Sequence, residues 1–193
     1  MRSATFYLVA FAVLPSLGRA QLPIFTISRE ESSIKFHVKA SVDLTGTFDK
    51  WDASIKFSSR EVETGVLDVK IQADSVNTGS GMKDGKLKSK DFFNVKEDPF
   101  ITFHSTKIEQ TGPVTFNFTG NFTIRRVSKP ETLTFTATGK GTGVGSVNGT
   151  MAFDRKDYGM TSGIPFIKIA DRVEVTVDLH GRRTSGPPLI FKQ

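Results

Sequence analysis

The sequence predicts an all-β fold, an antiparallel barrel or sandwich of about eight to ten short strands. Two observations carry this. Apolar residues, many of them Phe, fall on every second position: Ile34, Phe36 and Val38; Ile101 and Phe103; Val114, Phe116 and Phe118; Phe122 and Ile124; Leu133 and Phe135; Met151 and Phe153. The residues between them are mostly Lys, Thr, Asn, Asp or His, so a pleated strand would carry its rings on one face and its polar groups on the other. Clusters of Gly, Asp, Asn and Ser interrupt the alternation at short intervals, as turns do. Many one-faced strands share one coherent place to bury that face, the inside of a closed or nearly closed antiparallel sheet.

Alternation begins at 25–27 and returns at 33–39. A third strand opens at Gly46 and runs through Trp51 to Phe57. Residues 66–73 alternate cleanly, with Leu67, Val69 and Ile71 on one face and Asp68, Lys70 and Gln72 on the other. The pattern then breaks. A glycine-rich polar loop over 77–85 leads into a stretch without the two-residue period, and the spacing predicts one short helix around residues 84–93. Asp84 would cap it, and Leu87 and the Phe92–Phe93 pair would face the sheet. Strands resume at 100–108 and 114–126, followed by a pair at 133–138 and 147–153. The pair is separated by a glycine-rich connection over 139–145 that reads as mobile. The last strand, 172–181, places Val173, Val175, Val177 and Leu179 on one face.

The ends read differently from the middle. Residues 1–20 have the form of a secretory signal peptide: Arg2 supplies a positive start, 6–14 is an apolar run too short to span a bilayer, and Gly18 and Ala20 place small residues where a signal peptidase reads. One domain over 21–183 is the expectation, with a flexible tail at 184–193 marked by Pro187–Pro188. The chain has no cysteine. An exported domain would then be held by its core alone, an N-terminal lipid anchor on Cys is excluded, and so are thiol catalysis and Cys-ligated metals. A periplasmic or secreted location is expected. The formal charge of +6 falls by two when Arg2 and Arg19 leave with the leader. That balance permits attraction to an anionic membrane surface and does not argue for nucleic acid.

The stretch Ser75–Gly79, then Lys83–Asp84, Leu87, Ser89, Asp91–Phe93, Pro99, Ile101–Phe103 and Ser105–Thr106 resembles the YceI-like family. So do Gly120–Ile124 with Val127–Pro130, and Arg155–Gly159 after a strand, in the same order and spacing. The resemblance covers roughly residues 25–182. It implies a lipocalin-like antiparallel β-barrel of about eight strands, exported to the bacterial periplasm. The ligand it implies is a long isoprenoid lipid, an isoprenoid quinone or a polyprenyl phosphate, held in the lumen without a cofactor. Three positions depart from the family pattern: Ala40 and Lys86 stand where a His is frequent, and Arg126 where a Gly is frequent.

The inward parity nominates Phe36, Val38, Trp51, Phe57, Val69, Ile71, Phe103, Phe116, Phe118, Phe135, Phe153 and Val175 as lumen-lining residues. In a small barrel such side chains can simply fill the interior. Ala73, Ala137 and Gly149 fall in register with them and would open space. Lys83, Lys86 and Lys88, with Lys90 beside them, form a basic cluster next to Phe92–Phe93. It reads either as a solvated loop or as a rim that attracts a phosphate head or an anionic membrane. His37, His104 and His180 lie opposite in parity to the apolar faces and should point outward, which does not converge them on a metal. Asp157 is the one general-base candidate with a local pattern, and the favoured reading is an Arg155–Asp157 ion pair holding a turn, with Gly159 as its permissive residue. No nucleophile elbow or phosphate loop is present. The leading function is thus a non-enzymatic carrier of an isoprenoid lipid. A ligand-free β-barrel acting as a protein-interaction module is the alternative, association as a homodimer is left open, and an outer-membrane barrel lacks the Trp/Tyr girdles it would need.

Overall fold

The structure is a computed structural model that describes residues 21–41, 43–139, 141–163 and 168–192; the signal peptide read at 1–20 lies outside them. Ten strands form one antiparallel sheet: β1 (Ile24–Ala40), β2 (Leu44–Phe48), β3 (Trp51–Phe57), β4 (Gly65–Gln72), β5 (Val76–Asn77), β6 (Phe100–Gln110), β7 (Thr115–Ile124), β8 (Val127–Ala137), β9 (Val144–Asp154) and β10 (Ile169–Ser185). Their order is β3-β4-β6-β7-β8-β9-β10-β1-β2-β5. The sheet curls until its two ends approach each other, and the apolar stripe faces inward on every long strand. Ile34, Phe36, Val38, Phe103, Phe116, Phe118, Phe122, Leu133, Phe135, Met151 and Phe153 are all buried. An outer-membrane barrel with its rings turned to lipid is therefore ruled out by the side the rings occupy.

The sheet curls into a barrel without a ladder at its seam. Among the described residues no backbone pairing joins β3 to β1. Side chains join them instead. The rings of Phe25 and Phe57 lie 5.8 Å apart, and the Arg29 guanidinium sits 5.9 Å from the Trp51 ring and 3.6 Å from Asp52. β1 reaches both neighbours because its register shifts between Ser28 and Ser33. There Ser32 donates its hydroxyl to the Ser28 carbonyl at 2.5 Å and accepts from the His180 N–H at 2.9 Å. The half of β1 before this bulge lies along β3, and the half after it pairs with β2.

The strand expected from Gly46 to Phe57 is two strands. β2 ends at Phe48, the chain turns at Asp49–Lys50, and β3 starts on the opposite edge of the sheet. The turn is held by the Asp49 N–H donating to the Ser75 carbonyl at 3.1 Å. This split and the two-residue β5 add strands, while the stretches expected at 25–27 and 33–39 are one strand, β1, and the total of ten lies within the expected eight to ten.

The helix also differs from expectation. α1 spans Gly81–Lys88 and not 84–93. Asp84 lies inside it and does not cap it. Its carboxylate accepts from the Thr78 N–H at 2.8 Å and from the Thr78 hydroxyl at 2.7 Å, which ties the glycine-rich loop to the helix and holds the acid below its usual range. Ser89 is extended and ends the helix. Phe92 and Phe93 follow in turns, yet both are buried, as is Leu87.

The β7–β8 hairpin turns through Arg125 and Arg126, with φ of 52° and 61°. A tight turn of this kind needs left-handed backbone at both positions and favours Asn-Gly. The strain is offset by side-chain contacts. Arg126 Nε lies 2.6 Å from Asp98, and Arg125 donates to the Gly159 carbonyl at 2.5 Å.

The 155–159 segment forms a turn, but the expected Arg155–Asp157 pair is not what holds it. Asp157 pairs with Lys129 at 3.0 Å. Arg155 is 5% exposed and points inward. It donates to the carbonyls of Met160, Ser162 at 2.8 Å and Ala170 at 3.2 Å, and pairs with Asp171 at 3.0 Å. Gly159 does supply the positive backbone angle, with φ of 74°. Tyr158 is fully buried against Phe122 and Phe153 and donates its hydroxyl to Glu131 at 3.0 Å. Burial, then the Glu131 charge, pushes its phenol well above the usual range. Arg155→Met should therefore lower stability by about 3 kcal/mol, since buried carbonyls lose their donor. Asp157→Asn should change it by about 0.5 kcal/mol or less, as an exposed pair does. Urea denaturation of the two variants checks both.

Candidate functional site

Among the described residues, two cavities stand out inside the curled sheet, one toward each end. The larger is about 190 Å³. Ile27 of β1, Phe57 of β3, Leu67 of β4, Phe116 and Phe118 of β7, Phe135 and Ala137 of β8, and Leu179 of β10 form its walls. Gly139, Gly141 and Val144 form its lip and are exposed, so the chamber opens at the end of the barrel where β8 meets β9. The smaller is about 70 Å³ and is lined by Phe36, Val38, Ile71, Phe153 and Val175, with Leu87, Phe92 and Phe93 across its end.

Between them the interior is filled. Along β4, Leu67 faces the larger chamber, Ile71 faces the smaller, and Val69 lies between and lines neither. On β9, Met151 holds the same intermediate level, and on β10 Val177 does. Trp51, Phe103 and Leu133 are likewise buried without lining a chamber. These side chains make a packed waist.

The expected lumen residues thus divide three ways. Phe57, Phe116, Phe118 and Phe135 line the larger chamber. Phe36, Val38, Ile71, Phe153 and Val175 line the smaller. Trp51, Val69 and Phe103 belong to the waist. Of the small residues expected to open space, Ala137 borders the larger chamber. Gly149 does not open space, because the Phe135 ring lies over it and would come within 2.4 Å of an added Cβ.

Sequence reasoning missed the tail. Residues 187–192, expected to fray, lie against the barrel. Ile190 bridges to Glu61, donating its N–H to the Arg60 carbonyl at 2.7 Å and accepting from the Val62 N–H at 3.2 Å. Leu189 and Phe191 become part of the chamber wall, the latter ring 6.1 Å from Phe116. Lys192 donates to Glu63 at 2.8 Å, and its backbone exchanges two hydrogen bonds with the Gln110 amide, at 2.7 and 2.9 Å. The tail is a strap across the wide end.

The Lys83–Lys90 cluster lies on and after α1, at the end holding the smaller chamber. Lys86 is paired with Asp91 at 2.6 Å. Lys83 and Lys90 are exposed. All three histidines point outward beside carboxylates: His37 near Asp43 and Glu174, His104 at 2.6 Å from Asp68, and His180 at 3.4 Å from Asp178. Among the described residues no three His, Asp or Glu side chains converge to hold a metal.

Comparisons with known proteins return relatives of this sequence and this fold. The profile of the YceI-like domain matches residues 25–181. The chain belongs to the YceI-like family. A UPF0312 protein of Azotobacter vinelandii is 31% identical over 134 residues, covering 67% of this chain and 70% of that protein. A UPF0312 protein of Pseudomonas aeruginosa is 28% identical over 181 residues, covering 89% and 93%. Among solved structures, Burkholderia cenocepacia BcnA superposes with a TM-score of 0.73 at 24% identity, over 80% of this chain and 99% of that one. A polyisoprenoid binding domain from Saccharophagus degradans, implicated in plant cell wall breakdown, superposes at 0.68 and 15% identity, over 84% and 99%. These likenesses establish the YceI-like barrel fold for this chain.

The strap has a pH signature. The Glu63 carboxyl is held below its usual range by the hydrogen bond from Lys192 first and the Gln110 N–H second. A depressed acid stabilises the docked strap above its free value of 4.5 and loses that contribution as the pH falls through its lowered value. Hydrogen exchange at the backbone amides of residues 189–192, corrected for intrinsic rates, should be unchanged between pH 7 and 5 and rise below about 4. Glu63→Gln should remove most of that dependence.

Proposed function

We propose that this YceI-like protein is an exported carrier or binding protein for an isoprenoid lipid, whose chain enters the larger chamber through its glycine-lipped mouth. One observation carries the reading: an open chamber walled by aliphatic and aromatic side chains from strands on every side of the barrel. Such a surface has no use in a fully packed interaction module, and it favours a flexible apolar guest. Each CH₂-sized group buried gains about 0.8 kcal/mol, so several isoprene units offset association costs of about 4–15 kcal/mol. The solved polyisoprenoid binding domain with the same fold lends further support, and the leader-like residues 1–20 favour a periplasmic or secreted setting. The chamber's mostly apolar wall favours binding over catalysis.

The chamber is a little larger than an engineered cavity of about 150 Å³ that holds benzene and smaller than the ~300 Å³ at which drug-sized pockets begin. A chain of several units must therefore part the waist and join the two chambers. Met151, unbranched and flexible, is the waist residue that repacks at least cost.

Protein purified after export in a bacterial host should carry co-purifying prenyl lipid, identified by organic extraction and mass spectrometry. Delipidated protein should take up added isoprenoid quinone or polyprenyl phosphate. Protein that carries no lipid and takes up neither would refute the carrier reading.

A further inference from the structure

Among the described residues each chamber has one charged residue in its wall, and both are arginines. They are in opposite states. Arg155, at the smaller chamber, spends its guanidinium on three backbone carbonyls and Asp171. The Arg183 guanidinium, at the larger chamber, makes one hydrogen bond among the described residues, from Nη1 to the Gly186 carbonyl at 2.7 Å. No carboxylate lines the larger chamber, and among the described residues none lies within ion-pair distance of Arg183. Its Nε and Nη2 lie beside Gly143 at the lip, 3.5–3.6 Å from where a side chain there would begin.

Position explains why this guanidinium faces the chamber. β10 continues past the expected end at Gly181 to Ser185. Val173, Val175, Val177 and Leu179 are inward, and Gly181 and Arg183 extend the same alternation, so Arg183 is an inward residue at the outermost level of the wall. It is half-buried. A cation is costly to hold in an apolar wall unless it is paired or reaches solvent. Here it sits where an apolar chain would end and a head group would begin.

We propose that Arg183 is the head-group subsite of the larger chamber, and that it selects an isoprenoid bearing an anionic head, a phosphate monoester or a carboxylate, over a neutral one. The proposal rests on the lipid-carrier reading and moves the head group from the lysine cluster of α1 to the opposite end of the barrel. A planar guanidinium with Nε and Nη2 aimed to one side offers two parallel N–H donors, the geometry that matches two oxygens of such a head. The tail then runs inward toward the waist. Lys83, Lys86 and Lys88 lie at the far end and take no part.

The test compares farnesyl phosphate with farnesol, which share a tail and differ in the head, on delipidated wild-type protein and on Arg183→Gln by isothermal titration calorimetry. Glutamine keeps a donor for the Gly186 carbonyl, and a thermal melt confirms the fold; Arg183→Lys serves as the second variant, keeping charge without the fork. The wild type should bind the phosphate at least tenfold tighter than the alcohol. Arg183→Gln should bind the two about equally, through loss of the phosphate and not of the alcohol, and Arg183→Lys should fall between. Equal affinity of the two heads for the wild type, or a phosphate preference that survives Arg183→Gln, overturns the subsite and leaves the carrier reading standing. Binding of neither lipid overturns both. A preference abolished equally by Lys83→Gln/Lys86→Gln/Lys88→Gln, with Arg183 intact, returns the head group to α1 and overturns the proposal.

Discussion

Everything in this fold depends on one constraint: apolar side chains at every second position must share a single interior. The strands satisfy it by curling into one sheet of ten. The curl decides the rest. It sets rings from non-adjacent strands against each other, as in Phe122 of β7 against Phe153 of β9 at 5.2 Å. It also brings edges together that have no hydrogen-bonding partner, and leaves the β1–β3 seam to Phe25, Phe57, Arg29 and Trp51. Packing then fills the middle of the barrel, leaving a small hollow at one end and the larger one at the other. Function follows from where packing stops.

Much of this was legible because strand parity is a strict rule. The inward set of Phe36, Phe103, Phe116, Phe118, Phe135 and Phe153 follows from spacing alone, and so does the outward placement of the three histidines. Parity also held signals that were passed over. Phe48 and Trp51 are both inward but three residues apart, an odd step that an uninterrupted strand cannot make. It marks the turn separating β2 from β3. Ile27 and Ile34 are offset by seven, and the β1 bulge lies between them. Extending the inward series of β10 by two steps would have reached Arg183.

Other features were not legible, for physical reasons. Parity says that Val69 and Phe103 point inward but not whether the space before them is filled, since that depends on which side chains meet from opposite walls. The same limit hid the loss of Gly149's space to the Phe135 ring. Arg155 was matched with an acid of its own turn, Asp157, whereas its carboxylate partner is Asp171 and most of its bonds go to backbone carbonyls. Pro187–Pro188 suggested a loose end. The strap docks because Leu189, Phe191 and Lys192 find partners at Phe116, Glu63 and Gln110, contacts no local pattern encodes. Membership of the YceI-like family accounts for the conformity of the central block and of the 155–159 turn, which in this chain brace the barrel through Asp84, Lys129 and Asp171.

The central claim is that the larger chamber is the seat of the ligand, and filling it is the direct measurement. Ala137 borders the chamber and is partly buried, so Ala137→Trp should occupy the hollow with little disturbance of the ladder around it. Uptake of a fluorescent prenyl lipid by delipidated wild type and variant, with circular dichroism to confirm the fold, decides the matter. The account predicts that the folded variant loses at least tenfold in affinity. Undiminished uptake by a folded Ala137→Trp protein would contradict it.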